Sequence, residues 1–269
     1  MIAKLFLYLC NYPVFRRIVW KPIYENLARQ FDFDDWHFMN YGYAPLNGTP
    51  TLSLNAEDEN DRYCIQLYHE VAAQVDLRDK AVLEVGSGRG GGASYVARYL
   101  QPAKMIGMDL ASNAVAFAKS QHDVQGLDYV QGNAEALPFD DASFDAVINV
   151  ESCHAYGSVE NFLKEVKRVL KPGGHFLVTD LRLAQSMDIL RKQLNNSGLN
   201  MLDARDIGPN VVRAIELDDD YKTKRIKERI PGWLEKNFAQ FAGVKGSEIH
   251  LDLMSGDRVY WLFLLQKPE

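Results

Sequence analysis

Apolar and polar positions along the chain fall into three regimes. Residues 1–60 are rich in aromatic side chains without a clean period, and turn formers gather at Ala44, Pro45, Asn47, Gly48 and Pro50. From residue 60 to about 77, apolar side chains recur at Tyr63, Leu67, Tyr68 and Val71, a spacing that predicts a helix. Beyond it, short apolar runs alternate with helical patterns. Strands are predicted over 81–85, 104–109, 128–131, 144–150 and 175–180, and helices over 91–100, 113–122 and 159–170. Alternation of this kind predicts βαβ units and a mostly parallel sheet, hence an α/β fold.

The alternation stops after Leu183. Residues 184–242 read as several short helices broken at 195–198, at Gly208 and Pro209, and at Pro231 and Gly232. Strand character returns over 246–253 and 258–266, separated by Ser255, Gly256 and Asp257, which predicts an antiparallel C-terminal hairpin at one sheet edge. The expected organisation is a cap over 1–60, a cofactor-binding core over 61–183, a helical lid over 184–245 and completing strands over 246–269.

Composition narrows the class without changing this picture. In 269 residues, 47% apolar and 25% charged side chains describe an ordinary folded protein. A formal charge of −6 gives no drive toward nucleic-acid phosphates, so DNA and RNA are not expected partners. Residues 1–30 depart from that average, with five cations against Glu25, and a basic, apolar stretch of this kind would rest peripherally on an anionic membrane surface. Cys10, Cys64 and Cys153 form no CxxC pair, which argues for a reducing, cytoplasmic setting and against a zinc ribbon. The opening residues make a poor signal peptide, and no stretch reaches the ~20 apolar residues of a bilayer span.

The most informative stretch is 81–92, an apolar strand entering a glycine-rich turn that opens a helix. Gly86, Gly88 and Gly91 satisfy GxGxxG, and Asp109 lies 21 positions beyond Gly88, as a ribose-binding acid should, so a dinucleotide enzyme is a legitimate reading. Glu84 argues against it. A carboxylate two residues before the first glycine would repel a pyrophosphate, whereas it suits a ligand with a positive head group.

At this point the sequence resembles the class I S-adenosylmethionine-dependent methyltransferases. The resemblance runs in order through 82–88, 105–110, 132–139, 143–147 and 168–174. It implies a Rossmann-like, seven-stranded sheet with S-adenosyl-L-methionine across the carboxyl ends of the first strands. Carried over residue by residue, Glu84, Gly86, Ser87 and Gly88 would meet the methionine part, Asp109 the ribose hydroxyls, and Leu110 the adenine. Asn133, Ala134 and Glu135 would border the adenine; the family often has Asp where Asn133 stands, and the amide can donate as well as accept. Asn149, Tyr41 and Tyr68 complete the expected cofactor set, the tyrosines because related enzymes close such a ring over the cofactor.

A narrower resemblance lies in 149–156, which is similar to the segment after the fourth strand in phthiotriol and fatty-acid O-methyltransferases and, more distantly, in sterol C-methyltransferases. Methyl transfer from a sulfonium requires alignment and exclusion of water, and no metal. A hydroxyl acceptor must lose a proton, so His154 is the expected general base, with Glu151 orienting it or shaping the pocket. A small, apolar acceptor molecule is the expected partner, since the 184–242 segment carries Ile189, Leu190, Val211, Ile215, Trp233 and Phe238. Methylation of an isoprenoid or sterol-like alkene carbon is the alternative chemistry, and a noncatalytic cofactor-binding module the alternative of another class.

Overall fold

Seven strands form one sheet in the order β3-β2-β1-β4-β5-β7-β6. The structure, a computed structural model, describes residues 36–47 and 52–269; the basic stretch 1–30 lies outside the described residues. The parallel strands are β1 (Ala81–Val85), β2 (Lys104–Asp109), β3 (Leu127–Gln131), β4 (Phe144–Val150) and β5 (Leu170–Leu183). The 258–266 strand, β7 (Arg258–Gln266), runs antiparallel between β5 and β6 (Asn200–Asp206).

Helices cover both faces because the central strands are apolar on both. Val82 and Ile148 belong to a core built with α1 (Arg62–Ala72), α2 (Gly91–Tyr95, continued by a π turn to Leu100), α3 (Ser112–Gln121) and α6 (Gly208–Arg229). Leu83 and Val147 belong to the other, built with α4 (Val159–Val169) and α5 (Ala184–Asn195). In α4 the buried side chains are Val159, Phe162, Leu163, Val166 and Val169, one helical stripe, and the Ser158 hydroxyl caps its N-terminus by accepting from the Asn161 N–H. Two further helices, α7 (Gly232–Ala242) and α8 (Glu248–Ser255), complete the C-terminal part.

The antiparallel edge is present, but the strand expected over 246–253 is not. That segment is α8, started by Ser247, whose hydroxyl accepts from the His250 N–H. Its alternating Ile249, Leu251 and Leu253 imitate a strand, yet Leu251 is exposed, and the core takes Leu253 and packs Ile249 against it, four residues apart as a helix requires. The true partner of β7 is β6, inside the stretch expected to be helical. As an edge strand it is largely exposed and carries Asp203, Arg205 and Asp206, so no apolar alternation marked it. Residues 175–180 were a strand as expected, within a longer β5.

The sheet reverses its winding between β1 and β4, which leaves a crevice beyond their carboxyl ends, where open α/β sheets bind ligands. Close approach of α1 to α2 closes one side of it: a Cβ on Gly92 would fall 2.0 Å from the Tyr68 ring. Gly92→Ala should therefore destabilise the protein by about 1–3 kcal/mol in chemical denaturation. Combined with Tyr68→Ala it should cost less than the two changes summed, whereas additive costs would contradict the contact.

Candidate active site

The turn after β1 is held to the end of β2. The N–H groups of Gly86 and Ser87 both donate to the Met108 carbonyl, at 2.7 and 3.0 Å. Gly86 has φ +81°, and a Cβ there would lie 2.3 Å from the Ser152 hydroxyl, so backbone and space both require glycine. The next turn residue fixes Asp109: its carboxylate accepts from the Gly88 N–H at 2.9 Å and from the Ala111 N–H at 2.8 Å. Burial raises the Asp109 pKa despite these bonds.

Around this turn lies a cavity of about 190 Å³. Of the residues singled out above, Tyr68, Gly86, Ser87, Gly88, Asp109, Leu110, Asn133, Ala134, Glu135 and Glu151 line it. Glu84 and Asn149 do not; they are fully buried in the adjoining ends of β1 and β4. Tyr41 lines a second cavity of about 100 Å³ that shares Trp36, Phe38, Met39, Asn40 and Phe241 with the first. His154 lines neither, although Ser152 and Ala155 line the cleft.

Glu84 receives the Tyr68 hydroxyl at 2.7 Å. Burial pushes its carboxyl up to about 7, opposed by that hydrogen bond. Its second oxygen, the Ser87 hydroxyl and the Asn149 carbonyl are buried without a hydrogen bond of normal geometry to described residues. The Asn149 amide is otherwise engaged, donating to the Val85 carbonyl at 2.8 Å and the Ser152 hydroxyl at 2.7 Å. Of these three residues only Ser87, in the turn itself, lines the cleft, so its hydroxyl is the one of the three positioned to meet a ligand there.

Residues 36–44 form a strap across the cleft. The Trp36 carbonyl takes the Arg89 guanidinium at 2.6 Å, the His37 carbonyl takes the Gly91 N–H, and the Tyr43 carbonyl takes the Gln66 amide at 2.7 Å. The Tyr41 N–H donates to Glu151 at 3.0 Å, and the hydroxyl of Tyr260 on β7 donates to the same carboxylate oxygen. Glu151 itself has φ +46°, an uncommon conformation for a side chain of its size. Burial raises its carboxyl to about 7 against both hydrogen bonds.

His154 is held by Asp180, not by Glu151: its Nδ1 lies 2.7 Å from the carboxylate. Asp180 is fully buried on β5 and also accepts from Arg182 at 2.9 Å and from the Cys153 thiol. Burial would raise Asp180, but His154 and Arg182 outweigh it and hold the carboxyl down at about 2. Burial alone would lower His154, and Asp180 reverses this so that the imidazole pKa is raised. The residues that the sequence did not announce are therefore Asp180, Tyr260, Arg89 and the strap. For Asp180 the available signal was an acid at the carboxyl end of a core strand; Tyr260 had none.

A methyltransferase-domain family model matches residues 83–178. The fatty-acid O-methyltransferase of Mycolicibacterium smegmatis is 42% identical over 250 residues, 92% of this chain and 89% of that protein. A phthiotriol/phenolphthiotriol dimycocerosates methyltransferase of Mycobacterium tuberculosis is 39% identical over 252 residues, 93% and 92% of the two chains. Among solved structures, the cyclase SpnF shares the fold with a TM-score of 0.71 at 20% identity, over 92% of this chain and 94% of that one.

The chain belongs to the class I S-adenosylmethionine-dependent methyltransferases, and more narrowly to the group that holds these fatty-acid and phthiotriol enzymes. It is an enzyme whose cofactor is S-adenosylmethionine. No helix among the described residues is long and apolar enough to cross a membrane.

The raised carboxyl of Glu84 gives the ligand-free protein a pH signature. The folded state keeps a proton that the unfolded chain releases above about 4.5, so this contribution is full in acid and is lost as pH rises to about 7. Glu84→Gln removes the loss. Its unfolding temperature should rise relative to wild type as pH goes from about 5 to about 7.5, with the gain complete near neutrality. A difference that stays constant over that range would contradict the burial of an ionisable carboxyl.

Proposed function

We propose that the enzyme transfers the methyl group of S-adenosylmethionine to a hydroxyl oxygen of a lipid-like acceptor, with His154 as general base. The observation that carries this reading is the His154–Asp180 pair beside the cleft, the kind of base that a hydroxyl nucleophile needs in order to lose its proton. The two relatives named above, which act on a fatty acid and on phthiotriol dimycocerosates by their names, support the lipid class.

The donor atoms of the cleft fit the cofactor. Glu84, Asp109, Glu135 and Glu151 lie in or against one cleft whose only Lys or Arg side chain among the described residues is Arg89, a field suited to a sulfonium and an ammonium and hostile to a pyrophosphate. In this reading Glu84, Gly86, Ser87, Gly88 and Asn149 hold the methionine part, with Tyr68 fixing Glu84. Asp109 takes the ribose, Leu110, Asn133, Ala134 and Glu135 border the adenine, and Tyr41 stands at the acceptor end of the strap. When bound, the cofactor supplies an electrophilic methyl group and leaves as a neutral thioether.

Asp180 fixes the imidazole through Nδ1, and the buried carboxylate would stabilise the imidazolium formed when the ring takes the acceptor proton. Because Asp180 raises the His154 pKa, the base is in its working, neutral form only above that raised value. Turnover should therefore climb with pH through and above the ordinary histidine range. Glu151 shapes the acceptor side and keeps the strap closed. An alkene acceptor would leave the His154–Asp180 pair without a proton to remove before transfer, which is why oxygen is preferred over carbon. The acceptor's apolar body takes the second cavity, between α6, α7 and the strap. A lipid-like acceptor also gives the basic residues 1–30 a role at an anionic membrane surface.

His154→Ala should lower turnover by about 10²–10⁴-fold while cofactor affinity stays within about twofold. The readout is the mass gain of one methylene on a panel of hydroxylated lipids, with cofactor binding measured by calorimetry. A variant that binds cofactor and keeps full turnover would remove His154 from the reaction.

A further inference from the structure

A buried carboxylate needs a cation beside it, and Asp180 has two within reach. It is fully buried on β5, and both of its oxygens are engaged. Oδ1 lies 2.7 Å from the His154 ring and accepts from the Leu181 N–H at 3.0 Å. Oδ2 accepts from Arg182 through Nε at 2.9 Å, with Nη2 also 2.9 Å away, and from the Cys153 thiol at 3.1 Å. Asp180 and Arg182 stand two apart on one strand, so both side chains leave the same face of the sheet. The Arg182 side chain is only 10% exposed, whereas that of His154 is 36% exposed. The second contact of the guanidinium is the Cys153 sulfur at 3.3 Å. Burial and the Asp180 charge push that thiol's pKa up, so the sulfur stays neutral and leaves the guanidinium charge to Asp180.

We infer that Arg182 is a positioning residue of the reaction: it is the standing counter-ion of Asp180, so the carboxylate orients His154 without requiring a protonated imidazole, and the ring is left neutral to take the acceptor proton. The inference rests on the oxygen-transfer reading given above. Among the described residues, His154 and Arg182 are the only cationic side chains bonded to Asp180. Without the guanidinium, imidazolium would be the one positive partner left, and giving up its proton would strand a buried negative charge. The other groups around the pair do not replace Arg182. Glu151, at the end of β4, favours the protonated imidazole, and the Tyr260 hydroxyl of β7 is bonded to Glu151. Arg191 of α5 stacks on Trp261, the residue opposite Asp180 on β7, 4.4 Å from the ring centre. The directions agree with this division of labour: burial lowers the His154 pKa, Asp180 and Glu151 raise it, and Arg182 opposes them.

The test uses the full chain, isotope-labelled for NMR and saturated with S-adenosylhomocysteine, with the His154 signals assigned by their absence from His154→Gln. In Arg182→Gln the titration midpoint of His154 should rise by about one pH unit or more. In Arg182→Lys, which keeps the charge and loses the fork, it should rise by about half a unit or less. Turnover on the panel of hydroxylated lipids should follow. The rising limb of the pH profile moves up with the midpoint, so Arg182→Gln falls at least about fivefold below wild type near pH 7 and recovers most of that loss by about pH 9. Should Arg182→Gln fail to fold, the wild-type Arg182 Nε–H signal serves instead: it should shift with the His154 midpoint, since both groups share Asp180, and persist above it. A midpoint unmoved or lowered in Arg182→Gln, or as high in Arg182→Lys as in Arg182→Gln, overturns the inference. So does an Nε–H signal that is lost once His154 is neutral. A loss of turnover equal at every pH, with the midpoint unmoved, marks a merely structural residue and overturns it as well. A midpoint that rises without moving the pH profile supports the counter-ion and counts instead against His154 as the base.

Discussion

The carboxyl of Glu151 is where the parts of this molecule meet. It leaves β4 in a left-handed backbone conformation, which costs about 1–3 kcal/mol for a residue of its kind, and it carries an ionisable group into a buried site. Both costs persist because one oxygen is claimed twice, by the Tyr41 N–H of the strap and by the Tyr260 hydroxyl of β7. Glu151 receives the strap at Tyr41, midway between its anchors at Arg89 and Gly91 and those at Tyr63 and Gln66. Tyr260 can reach Glu151 only because β7 is inserted antiparallel beside β5, where it pairs with Leu181. Sheet topology, the loop after β4 and the cleft wall thus meet at a single side chain.

Around that junction the charge is sorted. Carboxylates gather at the ends of β1, β2 and β4, where burial drives Glu84 and Glu151 toward neutral pKa values, while one buried aspartate, Asp180, is kept ionised by His154 and Arg182. Carboxyls of two kinds follow from one principle: burial penalises the charged form unless a cation stands beside it. No cation among the described residues stands beside Glu84 in the way that His154 and Arg182 stand beside Asp180. The histidine supplies what Asp180 needs, and in exchange gains a fixed ring and a raised pKa.

Much of this was legible in the sequence, for physical reasons that also explain what was not. Strands β1, β2 and β4 are apolar on both faces, and glycines at 86 and 88 mark a tight turn, both with positive φ, so the core and the turn after β1 were readable. Motif order named Gly86, Ser87, Gly88, Asp109, Leu110, Asn133, Ala134 and Glu135, all of which line the cleft, but not Arg89, which lines it too. Strand β6 was not readable, because an exposed edge pairs through its backbone and needs no apolar side chains. The 246–253 segment misled for the converse reason: its alternation is real, but the Ser247 cap and a burial spacing of four make it a helix. Of the two roles the sequence offers Glu151, orienting His154 or shaping the pocket, the structure puts it in the cleft wall, whereas the acid bonded to His154, Asp180, lies 26 residues on in the adjacent strand. Contacts of this length arise from strand order, which periodicity does not encode. The strap was unreadable because aromatic residues without a period can pack anywhere.

The measurement that bears most directly on the central claim, a buried carboxyl at the glycine-rich turn awaiting a cation, is the proton count on cofactor binding. S-adenosylmethionine titrated into the enzyme near pH 6, in buffers of different ionisation enthalpy, should release close to one proton as Glu84 ionises beside the sulfonium and ammonium. The observed enthalpy should then depend on the buffer, and in Glu84→Gln that dependence should vanish. Binding by the wild type with no buffer dependence would mean that Glu84 is already ionised or does not meet the cofactor, and would contradict the electrostatic origin of the site.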